Sequence, residues 1–170
     1  FGVNGIIFRK LARGEDTSEI IRKTKKEKSL NHYHTMSEPI YKIDEVKKEI
    51  RRIGEYISRK LRYKELVAGY LHLSVRFENL KYDSNIVKLT SYTNDDREIF
   101  DTSMKIYKAL FKPTVKLKAR QFGMGVYDLH TDLKEVNLNL FEETVFLPYN
   151  ALDKIKSKYG EGVIRVGIEH

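Results

Sequence analysis

The sequence predicts an α+β domain: a four-stranded antiparallel sheet with two helices on one face, in the order βαββαβ. A short N-terminal helix and a C-terminal tail flank it. Three observations carry this. Ile43, Val46, Ile50, Ile53, Ile57 and Leu61 recur at spacings of three and four, which makes one apolar stripe on a helix. Leu71, Leu73, Val75 and Phe77 alternate with Tyr70, His72, Ser74 and Arg76, the period of a half-buried strand. Between Lys116 and Val126, basic and apolar residues alternate, with Lys116, Lys118 and Arg120 on one side and Val115, Leu117 and Ala119 on the other. Such a strand would bury one face and turn a row of positive charge outward.

Taken in order, Phe1 to Gly5 reads as a glycine-punctuated turn, and Ile6 to Arg13 as a short helix capped by Gly14. Arg22, Lys23, Lys25, Lys26 and Lys28 form a basic run with little apolar content, a tether between domains. Lys28 to Glu38 is extended and stopped by Pro39. The striped helix Ile43 to Leu61 follows, then strands Ala68 to Phe77 and Ile86 to Tyr92, paired as a hairpin across a wide polar loop. Thr93 or Asn94 caps the second helix, whose inner face carries Ile99, Ser103, Ile106 and Leu110. Pro113 separates that helix from the basic strand. Beyond Tyr127 the pattern degrades, apart from the apolar cluster Leu138 to Phe141, a short helix at Ala151 to Lys158 ended by Gly160, and an extended piece at Val163 to Ile168.

Composition narrows the function. The chain has 170 residues, Lys+Arg 32 against Asp+Glu 24 and a formal net charge of +8, an excess that favours an anionic partner. It has no cysteine, hence no disulfide or thiolate metal site, and a cytoplasmic home is natural. No apolar run reaches the length of a membrane span, and no signal-peptide pattern is present. Phe1 to Leu11 reads as the middle of a longer protein.

Catalytic motifs are missing: no phosphate-binding glycine loop, dinucleotide fingerprint, HExxH or GxSxG. Glu15-Asp16, Asp95-Asp96 and Glu142-Glu143 sit at helix ends or in loops, where capping and solvation explain them. His32 and His34 share a strand face but have no third ligand close in sequence. This region therefore holds no metal, needs no cofactor and is non-catalytic. Basic and hydroxyl residues repeat across the strands instead, at Ser74 and Arg76, Lys88 and Thr90, and Lys116, Lys118 and Arg120. Lysine and arginine supply phosphate attraction, and hydroxyls fix register. The order βαββαβ is also that of an RNA-recognition motif, but Ile86 to Tyr92 lacks that module's aromatic signature, so backbone tracking on a duplex fits better than base stacking.

The residues resemble a known family. Lys28-Ser29-Leu30-Asn31-His32, ending in Thr35-Met36, is similar to the opening strand of the little-finger domain of Y-family (translesion, UmuC/DinB-like, ImpB/MucB/SamB) DNA polymerases. Arg120-Gln121-Phe122-Gly123 with Val126 resembles that domain's last strand. Phe1-Gly2 with Gly5, through Ala12-Arg13-Gly14-Glu15-Asp16, resembles the end of the thumb. The resemblance implies residues 1–21 as a helical thumb remnant, 22–27 as a basic linker, 28–127 as the little finger and 128–170 as a tail. It implies a sheet riding on primer-template duplex during DNA repair, in an organism with an SOS response, and a parent polymerase whose Mg2+-binding catalytic carboxylates lie in a palm upstream of Phe1. The residues placed on DNA are Lys28, Ser29, His32, Thr35, Arg76, Lys88, Thr90, Lys116, Lys118 and Arg120, with His32 standing where some relatives carry arginine. Asn137-Leu138-Asn139-Leu140-Phe141 resembles the clamp-binding pentapeptide of bacterial polymerases, with Asn137, Leu138, Leu140 and Phe141 as contacts and Asn in place of the usual Gln. The alternatives are a free-standing RNA-binding or ribosome-associated α/β module and a structural domain whose basic face meets an acidic protein.

Overall fold

The computed structural model describes residues 1–16, 26–111, 117–131, 149–160 and 163–164. Among these described residues eight elements follow in order: α1 (Gly2–Ala12), β1 (Ser29–Ile40), α2 (Ile43–Tyr63), β2 (Val67–Phe77), β3 (Tyr82–Thr93), α3 (Asp96–Leu110), β4 (Ala119–His130) and α4 (Tyr149–Tyr159). The four strands form one sheet in the order β1-β4-β2-β3, and every neighbouring pair is antiparallel. β1 and β2 therefore run parallel with β4 inserted between them, and β3 and β4 run parallel with β2 between them. Two β-α-β units interleave, and both helices lie on one side.

The core sits between that side and the helices. Val46, Ile50, Ile53, Ile57 and Leu61 of α2 are almost completely buried, as the apolar stripe requires. α3 contributes Ile99, Met104 and Ile106, and Phe122, Met124 and Val126 of β4 meet them from the sheet. Ser103 lies inside this layer and returns its hydroxyl to the Ile99 carbonyl at 2.7 Å, which satisfies a buried polar group within its own helix.

Several local expectations are corrected. The Phe1–Gly5 segment is already helical from Gly2, and no α1 residue is buried. β1 runs through Pro39 to Ile40, because an edge strand has no ladder bond on its outer side for a proline to break. The β2–β3 loop is tight rather than wide: the Phe77 N–H donates to the Lys81 carbonyl at 2.9 Å and Leu80 takes φ +65, so β3 starts at Tyr82. Asp95, not Thr93 or Asn94, caps α3, its Oδ1 accepting from the Arg97 and Glu98 amides at 2.8 and 3.0 Å. The expected basic strand at 116–126 is instead β4, which begins at Ala119 and runs on to His130. Lys118 precedes it, and its carbonyl accepts from the Glu78 amide at 3.0 Å.

α4 is tied to this layer by polar contacts. Arg62 of α2 donates to both oxygens of Asp153 at 2.7 and 3.0 Å and to Asp96 at 2.8 Å, and its guanidinium stacks on the Tyr149 ring. The Tyr149 hydroxyl donates to the Asp95 capping carboxylate at 2.8 Å, and Lys156 meets Glu55 at 2.5 Å. Burial opposes the Arg62 charge, but hydrogen bonds to Asp153 and the nearby Asp96 outweigh it and hold the group charged. Burial pushes Asp96 up, an effect Arg62 partly offsets. Arg62→Ala would leave Asp96 and Asp153 without their cation at a half-buried site. Urea unfolding should register a loss of about 3 kcal/mol, with α4 helicity lost first; an unchanged midpoint would contradict the role assigned to Arg62.

Candidate nucleic-acid interface

One face of the sheet is covered by helices and the other is open. The register stacks the outward residues of the open face into four rows, read in strand order β1, β4, β2, β3. The first is Ser29, Tyr127, Tyr70 and Lys88. The second is Asn31, Gly125, His72 and Ile86. The third is Tyr33, Gly123, Ser74 and Ser84. The fourth is Thr35, Gln121, Arg76 and Tyr82. Polar contacts run within and between these rows: Gln121 Nε2 donates to Thr35 Oγ1 at 2.9 Å and the Ser74 hydroxyl to the Gly123 carbonyl at 3.2 Å within a row, and the Tyr127 hydroxyl donates to Asn31 Oδ1 at 3.2 Å between the first row and the second.

The two outward glycines of β4 shape the middle of the face. A Cβ on Gly123 would stand 2.3 Å from the Tyr33 ring and 2.4 Å from Ser74 Oγ, and one on Gly125 would stand 2.2 Å from Asn31 Oδ1. Tyr33 and Asn31 therefore lie flat across β4 because β4 has no side chains there. Tyr33 and Tyr82 remain more than half exposed. The Tyr127 ring packs edge-on against His72, and burial, with Tyr33 and Tyr82 nearby, pushes its hydroxyl up in pKa, so it stays a neutral hydrogen-bond donor.

The cations collect at the two ends. Lys88 lies in the first row, with exposed Lys28 immediately before β1 at the same end. Arg76 lies in the fourth row, with exposed Lys118 immediately before β4 at that end. Arg76 lies six positions along β2 from Tyr70, the partner of Lys88, so the two charged ends are ~20 Å apart at the usual rise of a strand. Between them the rows hold hydroxyls, amides, rings and glycine.

The residues expected at the interface divide accordingly. Ser29, Thr35, Arg76 and Lys88 share the open face, and Lys28 and Lys118 border it. Thr90 is exposed in an irregular stretch of β3, where Leu89 to Tyr92 stand opposite the single β2 residue Gly69. Arg120 is not part of an outward basic row. It sits opposite the four residues Met36 to Pro39, where the β1–β4 register shifts, and donates to the Ser37 carbonyl. His32 faces the helices, its ring 4.1 Å from that of Tyr56 on α2. His34 is on the same side, with Nδ1 2.6 Å from Glu49 Oε1. Lys116 and the segment Asn137, Leu138, Leu140, Phe141 lie outside the described residues. Sequence reasoning missed Asn31, Tyr33, Gln121, Tyr127, Tyr82 and Ser84; the period-two positions of β1 and the Gly123-Met124-Gly125 spacing were the available signals.

His32 and His72 both have pKa values lowered from the ordinary 6.5, in each case chiefly by burial, with Arg52, Lys60 and His34 adding to the effect at His32 against Glu49. A histidine that resists protonation when folded takes up its proton more readily when unfolded. Stability is therefore full above the unfolded value and declines as pH falls below about 6.5. Thermal melts should shift downward between about pH 7 and pH 5, and His32→Gln should flatten that slope. A melting curve insensitive to pH over this range would contradict the assignment.

A family model described as the impB/mucB/samB family C-terminal domain matches residues 27–140. Among curated relatives, a DNA polymerase IV of Leptospira interrogans is 22% identical over 82% of this chain and 40% of its own length. DNA polymerase IV 1 of Mesorhizobium japonicum is 24% identical over 98% of this chain and 38% of its own length. The chain thus spans about two fifths of these relatives. Among solved structures, a post-insertion binary complex of Dbh DNA polymerase superposes with a TM-score of 0.54 at 12% identity, over 76% of this chain and 36% of that one. A complex of beta-clamp processivity factor and the little finger domain of PolIV gives a TM-score of 0.50 at 17% identity, over 67% of this chain and 99% of that one. At these identities the structural likenesses establish the fold.

Proposed function

The chain belongs to the impB/mucB/samB family through its C-terminal domain, and from that membership we propose that it is the non-catalytic DNA-gripping region of a lesion-bypass DNA polymerase. The observation that carries the reading is the charge layout of the open face. Cations at its two ends lie ~20 Å apart by strand rise, a span suited to phosphates on either side of a major groove about 12 Å wide. The rows between them offer donors, acceptors and rings without a base-specific fork. A grip of this kind accepts any sequence, as a polymerase must.

Phosphate contacts made by few cations give a measurable but limited salt dependence. Titrating primer-template duplex at several salt concentrations, Arg76→Ala and Lys88→Ala should each weaken binding of all sequences alike and reduce the slope of log K against log salt by about 1. Affinity that depends strongly on sequence, or variants that leave the slope unchanged, would refute the reading. A preference for a matched RNA hairpin over the duplex would point to an RNA-binding module instead. The third strand argues against an RNA-recognition motif here, because β3 is a sheet edge and carries Ser84, Ile86 and Lys88 where base-stacking rings would stand.

The second part of the proposal is a contact with the sliding clamp through Asn137, Leu138, Leu140 and Phe141. Three apolar side chains on an extended segment suit an apolar pocket, and the Asn137 amide can anchor one end. The support is the sequence pattern, together with the solved clamp complex of a polymerase IV little finger. Replacing Leu140 and Phe141 by alanine should abolish retention on an immobilised clamp and leave the melting temperature of the domain where it was. Undiminished retention would sink this contact.

A further inference from the structure

We propose that His72, in the middle of the open sheet face, donates to purine N7 atoms on the floor of the major groove and takes up a proton as it does so, a contact that rests on the duplex reading of that face. His72 is half-buried in the second row, between Gly125 of β4 and Ile86 of β3. It lies two positions along β2 from Tyr70 and four from Arg76, so it stands ~7 Å from one charged end and ~13 Å from the other. A surface held on phosphates at both ends brings its middle over the base edges.

The polar groups beside His72 are already engaged. Asn31 accepts from the Tyr127 hydroxyl across Gly125, and its Nδ2 donates to Ser29 Oγ at 3.3 Å. The Ser74 hydroxyl is spent on the Gly123 carbonyl. The His72 ring packs edge-on against Tyr127, with centroids 6.3 Å apart, and its nitrogens have no hydrogen-bond partner among the described residues. The other described histidines are committed elsewhere: His32 and His34 face the helices, and His130 Nε2 is 3.2 Å from Asp128 Oδ1. Around His72 stand Asn31 from β1, Tyr127 from β4, Lys88 diagonally across on β3, and Tyr70 and Ser74 on its own strand. No carboxylate is among them, the helices lie on the opposite side of the sheet, and burial alone lowers the His72 pKa.

The chemistry of the groove selects the ligand atom. Adenine and guanine both present N7 as an acceptor in the major groove, so every base pair offers one whichever way round it lies. A donor aimed at N7 is therefore indifferent to sequence. A neutral imidazole has one N–H to donate and an imidazolium has two. The further acceptors of the groove floor, guanine O6 and thymine O4, reward the second. Binding thus favours the charged ring and raises its pKa. Affinity rises as pH falls through the bound value, and levels off once the free face is itself protonated, below about 6.5.

The test is fluorescence anisotropy of the full chain with a blunt duplex between about pH 8 and about pH 6, using natural purines or 7-deazapurines, which lack the N7 acceptor. The natural duplex should bind up to about tenfold more tightly at the acid end, the gain that a pKa rise of one unit gives. His72→Gln keeps a neutral donor, so it should match the unsubstituted chain at the alkaline end and lose the gain. The 7-deaza duplex should show no gain with either chain. Followed by NMR without any substitution, the His72 ring should titrate at higher pH with duplex than without. A gain that survives in His72→Gln or on the 7-deaza duplex, or a ring titration unmoved by duplex, would overturn the proposal. Arg76→Ala and Lys88→Ala leave His72 in place and test the open face by itself. Duplex affinity that they weaken but that ignores pH overturns the His72 contact alone, whereas affinity that neither changes overturns both.

Discussion

The packing of β4 against the helices is the contact on which the rest of the domain depends. β4 is the last strand in sequence but lies inside the sheet, paired with β1 on one edge and β2 on the other. Its alternate residues Phe122, Met124 and Val126 are completely buried or nearly so. No partial sheet of β1, β2 and β3 is continuous without it, because β1 and β2 have no direct pairing. The same strand sets the character of the opposite face, where the intervening Gly123 and Gly125 leave the floor on which Tyr33 and Asn31 lie. One alternating strand thus supplies the centre of the core and the centre of the proposed DNA-facing surface.

This arrangement separates two kinds of electrostatics. On the open face the charges stand at the ends, exposed and available to a phosphate backbone, while the middle is neutral. On the helical side the best-buried charges are spent internally: Arg62 on Asp96 and Asp153, and Lys156 on Glu55. Those contacts anchor α4 rather than attract a ligand.

Much of the fold was legible in the sequence. The α2 stripe was clear because a long helix repeats its period five times, and the β2 alternation because both faces of that strand differ in polarity. The errors fell where tertiary pairing decides. Alternation at Lys116, Lys118 and Arg120 has the period of a strand, yet β4 starts only where Ala119 meets Phe77 and Ile40, and the adjoining register shift turns Arg120 toward the Ser37 carbonyl. His32 reads as a surface residue until α2 supplies Tyr56 beside it. The tyrosine-rich character of the open face was hard to see because its members come from four strands that are far apart in sequence.

The central claim is that duplex DNA meets the open sheet face. Amide and side-chain NMR shifts of the full chain, followed while a blunt duplex is added, test it most directly. The account predicts that Asn31, Tyr33, Arg76, Lys88, Gln121 and Tyr127 move together while the outward residues of α2 and α3 stay in place. Shifts confined to the helices, with the four rows unmoved, would contradict it.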